Sequence, residues 1–445
     1  MKKKIALLLS ALMMTGALAA CGEKAETPET GTDTPPAQET PEPSEGEKTV
    51  LKWAIWDIEG TPYWKALEEA YEASNKNVDL ELVDLGSADY MTVLATELSG
   101  TGSDFDVVTI KDVPGYATLV NKNTLEPLGS YIEGSELDIK DYGTVIDQIT
   151  VDEKLYQLPF RNDFWLVYYN KAIFDAKGVD YPTNDMTFEE YDALARSVTD
   201  TTFGQQVYGA HYHTWRSAVQ LFGVLDGEHS ILDGEYEFFK PYYEMVLNQT
   251  KDGVTRDYVT LSTEGLHYSG AFSNGDVAMM NMGSWFISTM MAKLKDGEYS
   301  KDLVGDWGLV KYPHAEGVEA GSTLGTVTGL AVTSVSEKKD AAWDFVEFVG
   351  GEEGAKVLAE TGNFPAVMTE KVQEIISGME GFPEDEASLE ALNVSNLYLE
   401  VPYHANVSEI NAILDTYHKD IMNGDISIDD GIKKMNEEVG KVLNQ

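Results

Sequence analysis

Cysteine is all but missing: Cys21 is the only one in 445 residues. No disulfide framework can staple this chain, so a folded body must be held by its core alone. Arginine is scarce too, with only Arg161, Arg196, Arg216 and Arg256. Basic residues number 32 against 76 acidic ones, for a formal net charge of −44. Such a surface repels nucleic acid and anionic lipid head groups and disfavours a polyanionic ligand. The apolar run from Ile5 to Leu18 falls short of the roughly 20 residues that span a bilayer, and nothing later supplies such a stretch. Internal repeats are absent. So are the HExxH, CxxC, Gly-x-Ser-x-Gly, P-loop and Rossmann signatures, and DISIDDG (residues 425–431) lacks calcium-loop spacing. No metal, no cofactor and no catalytic residue is therefore assigned.

What is present begins with Lys2, Lys3 and Lys4, the apolar run, and the small pair Ala19 and Ala20. That is the layout of a secretory signal peptide over residues 1–20. The string Leu18-Ala19-Ala20-Cys21-Gly22 resembles a bacterial lipobox, which implies a lipid on Cys21 and a mature chain held at the extracellular face of a cell membrane. Residues 21–48 are rich in Pro, Thr and Glu and nearly free of large apolar side chains. They are expected to form a disordered tether with a reach on the order of 30 Å.

The body reads as α/β. Thr49–Trp56 alternates like a strand, and Trp64, Leu67, Ala70 and Tyr71 keep helical spacing over residues 62–74. A strand at 78–85, a helix at 90–99 and the β-branched run Phe105–Ile110 follow. Strand, helix, strand, helix, strand opens a doubly wound lobe whose ligands sit beyond the carboxyl ends of the strands. Further on, one strand is expected to end at Pro159 and another to run from Leu166 to Tyr169. Thr187 with Glu190 makes a capping box. A turn at Gly275 leads into a buried strand at 277–281, whose Met279, Met280 and Met282 fill core. Strands at 307–312 and 326–334 and a helix at 337–350 complete the pattern.

AFSNGDVAMMNMGSW (271–285), LPFRNDFWLVYYNKAIF (158–174), TFEEYDALA (187–195) and the stretch GTVTGLAVTSVSEKKDAAWDFVEFV (325–349) resemble, in family order, the family-1 extracellular solute-binding proteins of ATP-driven sugar importers, the family of maltodextrin-binding protein. NGDISIDDGIKKMNEEV (423–439) resembles that family's terminal helix. The resemblance implies a two-lobed periplasmic-binding-protein-like fold (type II), with the ligand cleft between lobes joined by hinge crossings. Carried over, the crossings fall near 159–164, 322–330 and 365–372. Lobe one then holds 49–160 plus 325–368, and lobe two holds 161–324 plus 369–445. Expected partners are a carbohydrate ligand and the permease of an ABC transporter, with the chain itself a monomer.

Binding a sugar takes aromatic rings against its C–H face and planar polar groups for its hydroxyls. Trp285 stands where the family stacks a sugar, and Asp163 lies in the first crossing. Trp56, Asp57 and Glu59 follow the first strand, and Lys111 and Asp112 the third. Trp56 and Trp165 either stack on ligand or plug a lobe. Tyr212 and Trp215 resemble an aromatic loop of lobe two. His211 and His213 are expected to be satisfied structural histidines. Two other readings stay open: a binder of the same fold for a peptide or glycerol phosphate, and a secreted glycoside hydrolase, which would also carry tryptophans and paired carboxylates.

Overall fold

The computed structural model describes residues 48–444 apart from 101, 203 and 205. The signal peptide, Cys21 and all but Lys48 of the tether lie outside the described residues. Among the described residues the strands are β1 (Thr49–Ile55), β2 (Val78–Asp84), β3 (Val107–Ile110), β4 (Leu158–Asn170), β5 (Tyr208–His211), β6 (Val277–Gly283), β7 (Trp307–Lys311), β8 (Ser322–Val332) and β9 (Asn396–Leu399). β1 pairs in parallel with β2 along its whole length and with β3 at its far end. The helices Tyr63–Ser74 and Tyr90–Ser99 make the crossovers, burying Trp64, Leu67, Tyr71, Tyr90 and Leu94. Strand-helix alternation with period-matched apolar residues thus builds the first half as read.

β4 and β8 are long and antiparallel, and each serves both halves of the molecule. The first part of β4 pairs with β8, from Leu158↔Leu330 to Phe164↔Gly325, and its second part pairs with β6 on one side and β7 on the other. β8 joins β3 at one end and β9 at the other. β4 is one strand where two were expected. Its register shifts between Pro159 and Arg161, because proline offers no N–H to the ladder, and pairing resumes beyond it. The turn Asn363-Phe364-Pro365 lies alongside: Asn162 N donates to Phe364 O at 3.1 Å, and Ala366 N to Phe160 O at 2.9 Å.

The core divides by strand parity. Phe164, Leu166 and Tyr168 enter one hydrophobic cluster, while Trp165, Val167 and Tyr169 enter another. The methionines of β6 are fully buried. The Thr187 capping box is present in both directions, with Thr187 N donating to Glu190 Oε2 at 2.9 Å and Glu190 N to Thr187 Oγ1 at 3.2 Å. Among the described residues no helix is long and apolar enough to cross a membrane.

Candidate functional site

A cavity of about 960 Å³ opens where the carboxyl ends of β1 and β3 face the middle of β4, the turn after β6 and the segment after β9. Local structure explains each wall. Trp56 is the first residue past β1. Trp64 Nε1 donates to its carbonyl at 2.8 Å, and the Trp56 ring packs edge-on against Trp64 at 4.9 Å and Tyr90 at 5.1 Å. Lys111 follows β3 and lays its ammonium 5.1 Å from the Trp56 ring centroid while donating to Ser87 O at 2.7 Å. Asp112 caps the helix Val113–Asn121, accepting from Gly115 N at 2.7 Å.

β4 supplies Arg161 and Asp163, two residues apart and therefore on one face. Arg161 pairs with Asp163 at 3.2 Å. Burial opposes the Arg161 charge, but Asp163 and Tyr63 outweigh it and pull its pKa up. Asp163 also accepts from Ser284 Oγ at 3.1 Å. The alternate residues face the other way: Asn162 and Phe164 line a separate cavity of about 380 Å³ with Pro365, Ala366 and Leu397.

Opposite stand Trp215 and Trp285, 6.2 Å apart, both packing against the buried Trp165 behind them. The Trp285 ring lies over Gly283 so closely that a Cβ there would come within 3.0 Å of three ring atoms. Tyr268 packs on Trp215 at 5.7 Å. Glu400, just past β9, is half-buried at the cleft floor. Trp165 Nε1 donates to its Oε1 at 2.5 Å and Ser217 Oγ to its Oε2 at 2.6 Å. Burial pushes its pKa up despite those donors and nearby Arg216. Arg216 bonds Asn411 Oδ1 through Nε at 3.0 Å.

Of the ten candidate residues, Trp56, Lys111, Asp112, Asp163, Trp215 and Trp285 line this cavity together. Four do not. Asp57 is exposed in a left-handed turn (φ 47°), its carboxylate turned back onto Gly60 N at 3.3 Å. Glu59 is exposed in the same loop. Trp165 stands two residues past Asp163 on the same face of β4, but it is buried beneath Trp215 and Trp285; it acts on the cleft through Glu400. Tyr212 sits in the second core, its hydroxyl bound to Gln249 Oε1 at 2.9 Å.

His211 is not the satisfied histidine expected. It is fully buried with neither ring nitrogen partnered, and His213 leaves Nδ1 unpartnered while packing on Trp215 at 4.5 Å. Burial holds both neutral, pushing His211 down to about 3 and His213 to about 4. Among the described residues no three His, Cys, Asp or Glu side chains are grouped to hold a metal. Sequence reading missed Arg161, Arg216, Ser217, Tyr268, Glu400 and Asn411. Arg161 was findable, standing two residues from Asp163 on a strand. Glu400 carried no local signal.

A family model described as bacterial extracellular solute-binding protein matches residues 56–356. A crystal structure of a sugar transporter from Rhizobium etli, in an open conformation, is 48% identical, with a TM-score of 0.83 over 88% of this chain and 99% of that one. A Listeria monocytogenes ABC substrate-binding protein in complex with cycloalternan superposes with a TM-score of 0.74 at 22% identity, over 89% of this chain and 99% of that one. A mannitol-binding protein of Pseudomonas aeruginosa is 23% identical over 302 residues, 66% of this chain and 67% of its own length. The fold is the two-lobed α/β architecture of these binding proteins.

Proposed function

Because the chain belongs to the bacterial extracellular solute-binding proteins, we propose that it captures a sugar or short oligosaccharide in this cleft and delivers it to the permease of an ABC importer. The observation that carries the reading is the meeting of three indoles, Trp56, Trp215 and Trp285, with the planar polar groups of Asp163, Glu400 and Asn411 around one cavity. Rings cover the C–H face of a pyranose, and carboxylates and amides take hydroxyls in pairs. The sugar transporter, the cycloalternan complex and the mannitol-binding relative all concern hydroxyl-rich solutes, which supports the same ligand class here.

In this reading β4 and β8 carry the hinge, with lobe one over 49–160 plus 325–368 and lobe two over 161–324 plus 369–445. Cys21 carries the lipid, residues 21–48 form the tether, and the monomer works at the outer face of the membrane as a binder without catalysis. The test is a thermal-shift screen of the purified chain against mono- and oligosaccharides. A ligand at 100 times its dissociation constant adds about 2.7 kcal/mol of stability. A panel in which no sugar raises the midpoint refutes the ligand class, and sustained hydrolysis of chromogenic glycosides refutes the non-catalytic role.

A further inference from the structure

Among the described residues Arg216, in the cleft, is the one arginine without a carboxylate partner. The two arginines outside the cleft each bind carboxylates: Arg196 binds Asp192 and Asp252, and Arg256 binds Asp276, although its buried Nε, like that of Arg161, has no partner. The cleft holds the other two arginines and Lys111. Arg161 has Asp163, yet its buried Nε has no partner. Arg216 is only 5% exposed and bonds neutral groups alone, Asn411 Oδ1 and Gln220 Oε1. Lys111 bonds the carbonyl and hydroxyl of Ser87 and faces an indole. Among the described residues, neither the Arg216 nor the Lys111 head has a carboxylate oxygen within 4.0 Å.

The carboxylates beside them already accept from within the protein: Asp163 from Ser284, Glu400 from Trp165 and Ser217, Asp112 from Gly115 N. A buried cation without a counter-charge is costly. In a chain with 76 acidic residues a partner would be easy to supply. Glu400 and Asp415 favour the charge on Arg216, but burial outweighs them and lowers its pKa; burial likewise lowers that of Lys111, against the pull of Asp112 and Asp57 and with Arg161 adding to it. What the cleft has to spare is cationic donors, one following β3 and one following β5, on different walls.

Resting on the sugar reading above, we infer that the bound solute carries a carboxylate, an acidic saccharide of the uronate class, which Lys111 and Arg216 recognise. A single carboxylate differs from the polyanion that the overall surface repels, because local desolvated donors act at contact distance while surface charge is screened within about 10 Å at 0.1 M salt.

The experiment is isothermal titration of the purified chain with galacturonate and glucuronate mono- to trisaccharides, each beside its carboxyl-reduced neutral counterpart. The acidic member should bind at least about tenfold more tightly and weaken as salt is raised, while the neutral one holds steady. Lys111→Met should narrow that preference, and Arg216→Gln should narrow it further where it folds. Neutral members that bind as tightly as the acids, or a Lys111→Met variant that keeps the full preference, overturn the inference and leave the sugar reading standing. Absence of binding by either series while other sugars bind overturns the inference alone, and absence with every sugar overturns both.

Discussion

Replacing Gly283 by alanine would test how the cleft wall is built. The backbone there is not in a left-handed region, so a methyl group meets no conformational penalty, and its whole cost comes from three ring atoms of Trp285 inside 3.0 Å. The ring cannot retreat inward, because Trp165 stands 6.0 Å behind it. It must tilt toward the cleft. Overpacking of this kind costs typically about 1–3 kcal/mol of stability, and a displaced ring forfeits a stacking contact worth about 1 kcal/mol, or roughly fivefold in affinity. Denaturant unfolding and titration with a sugar found by screening measure the two effects. Each should be repeated in a Trp285→Ala background, where the obstacle is gone. There Gly283→Ala should be neutral or slightly stabilising, since glycine in a strand is entropically costly, and the coupling should equal the full single-variant effect. A penalty that persists unchanged without the indole would refute the steric argument.

Trp165→Phe removes one of two donors to half-buried Glu400 and should cost about 1.5–3 kcal/mol near neutral pH. Because burial raises the folded pKa of Glu400, the folded chain holds that proton more readily than the unfolded one, so the penalty should shrink at acidic pH as the carboxyl protonates; a pH-independent penalty in urea unfolding would count against it. His211 has the opposite sign. Held neutral with a folded value of about 3 against 6.5, it leaves the unfolded chain to take up the proton first, so stability falls as pH drops below about 6.5. By pH 5 this amounts to about 2 kcal/mol, and His211→Leu should flatten the stability curve by that amount between pH 7 and 5. Cys21→Ser should release the protein from the cell surface with ligand affinity unchanged; a variant that stays cell-bound refutes the anchor.

The first half of the fold was legible because its signals are local: alternation in Thr49–Ile55, helical spacing in Tyr63–Ser74, a β-branched run before Lys111. Proline misled at Pro159, where a missing N–H reads as the end of a strand although the ladder only skips a place. The stretch around Arg216–Ala218 and Gln220–Val224 folds as short tight turns with no period to read, and Arg216 and Ser217 were lost with it. Tyr212 and Trp215 look alike in sequence, but only their neighbours decide that one fills core and the other is 39% exposed in the cleft. Glu400 becomes a cleft residue only because Trp165, more than two hundred residues earlier, reaches it.

β4 alternates its side chains between two destinations, with Arg161 and Asp163 toward the cleft and Asn162 and Phe164 toward the rear cavity. Such a strand behaves like a reading frame. One residue inserted after Arg161 would send the cleft carboxylate to the back and bring an amide and a phenyl ring to the front, a transposition of both walls by a single codon. Two inserted residues would restore the parity while sliding the pairing with β8. In this segment, length is therefore more constrained than chemistry: substitutions retune one wall at a time, whereas a single insertion or deletion exchanges them.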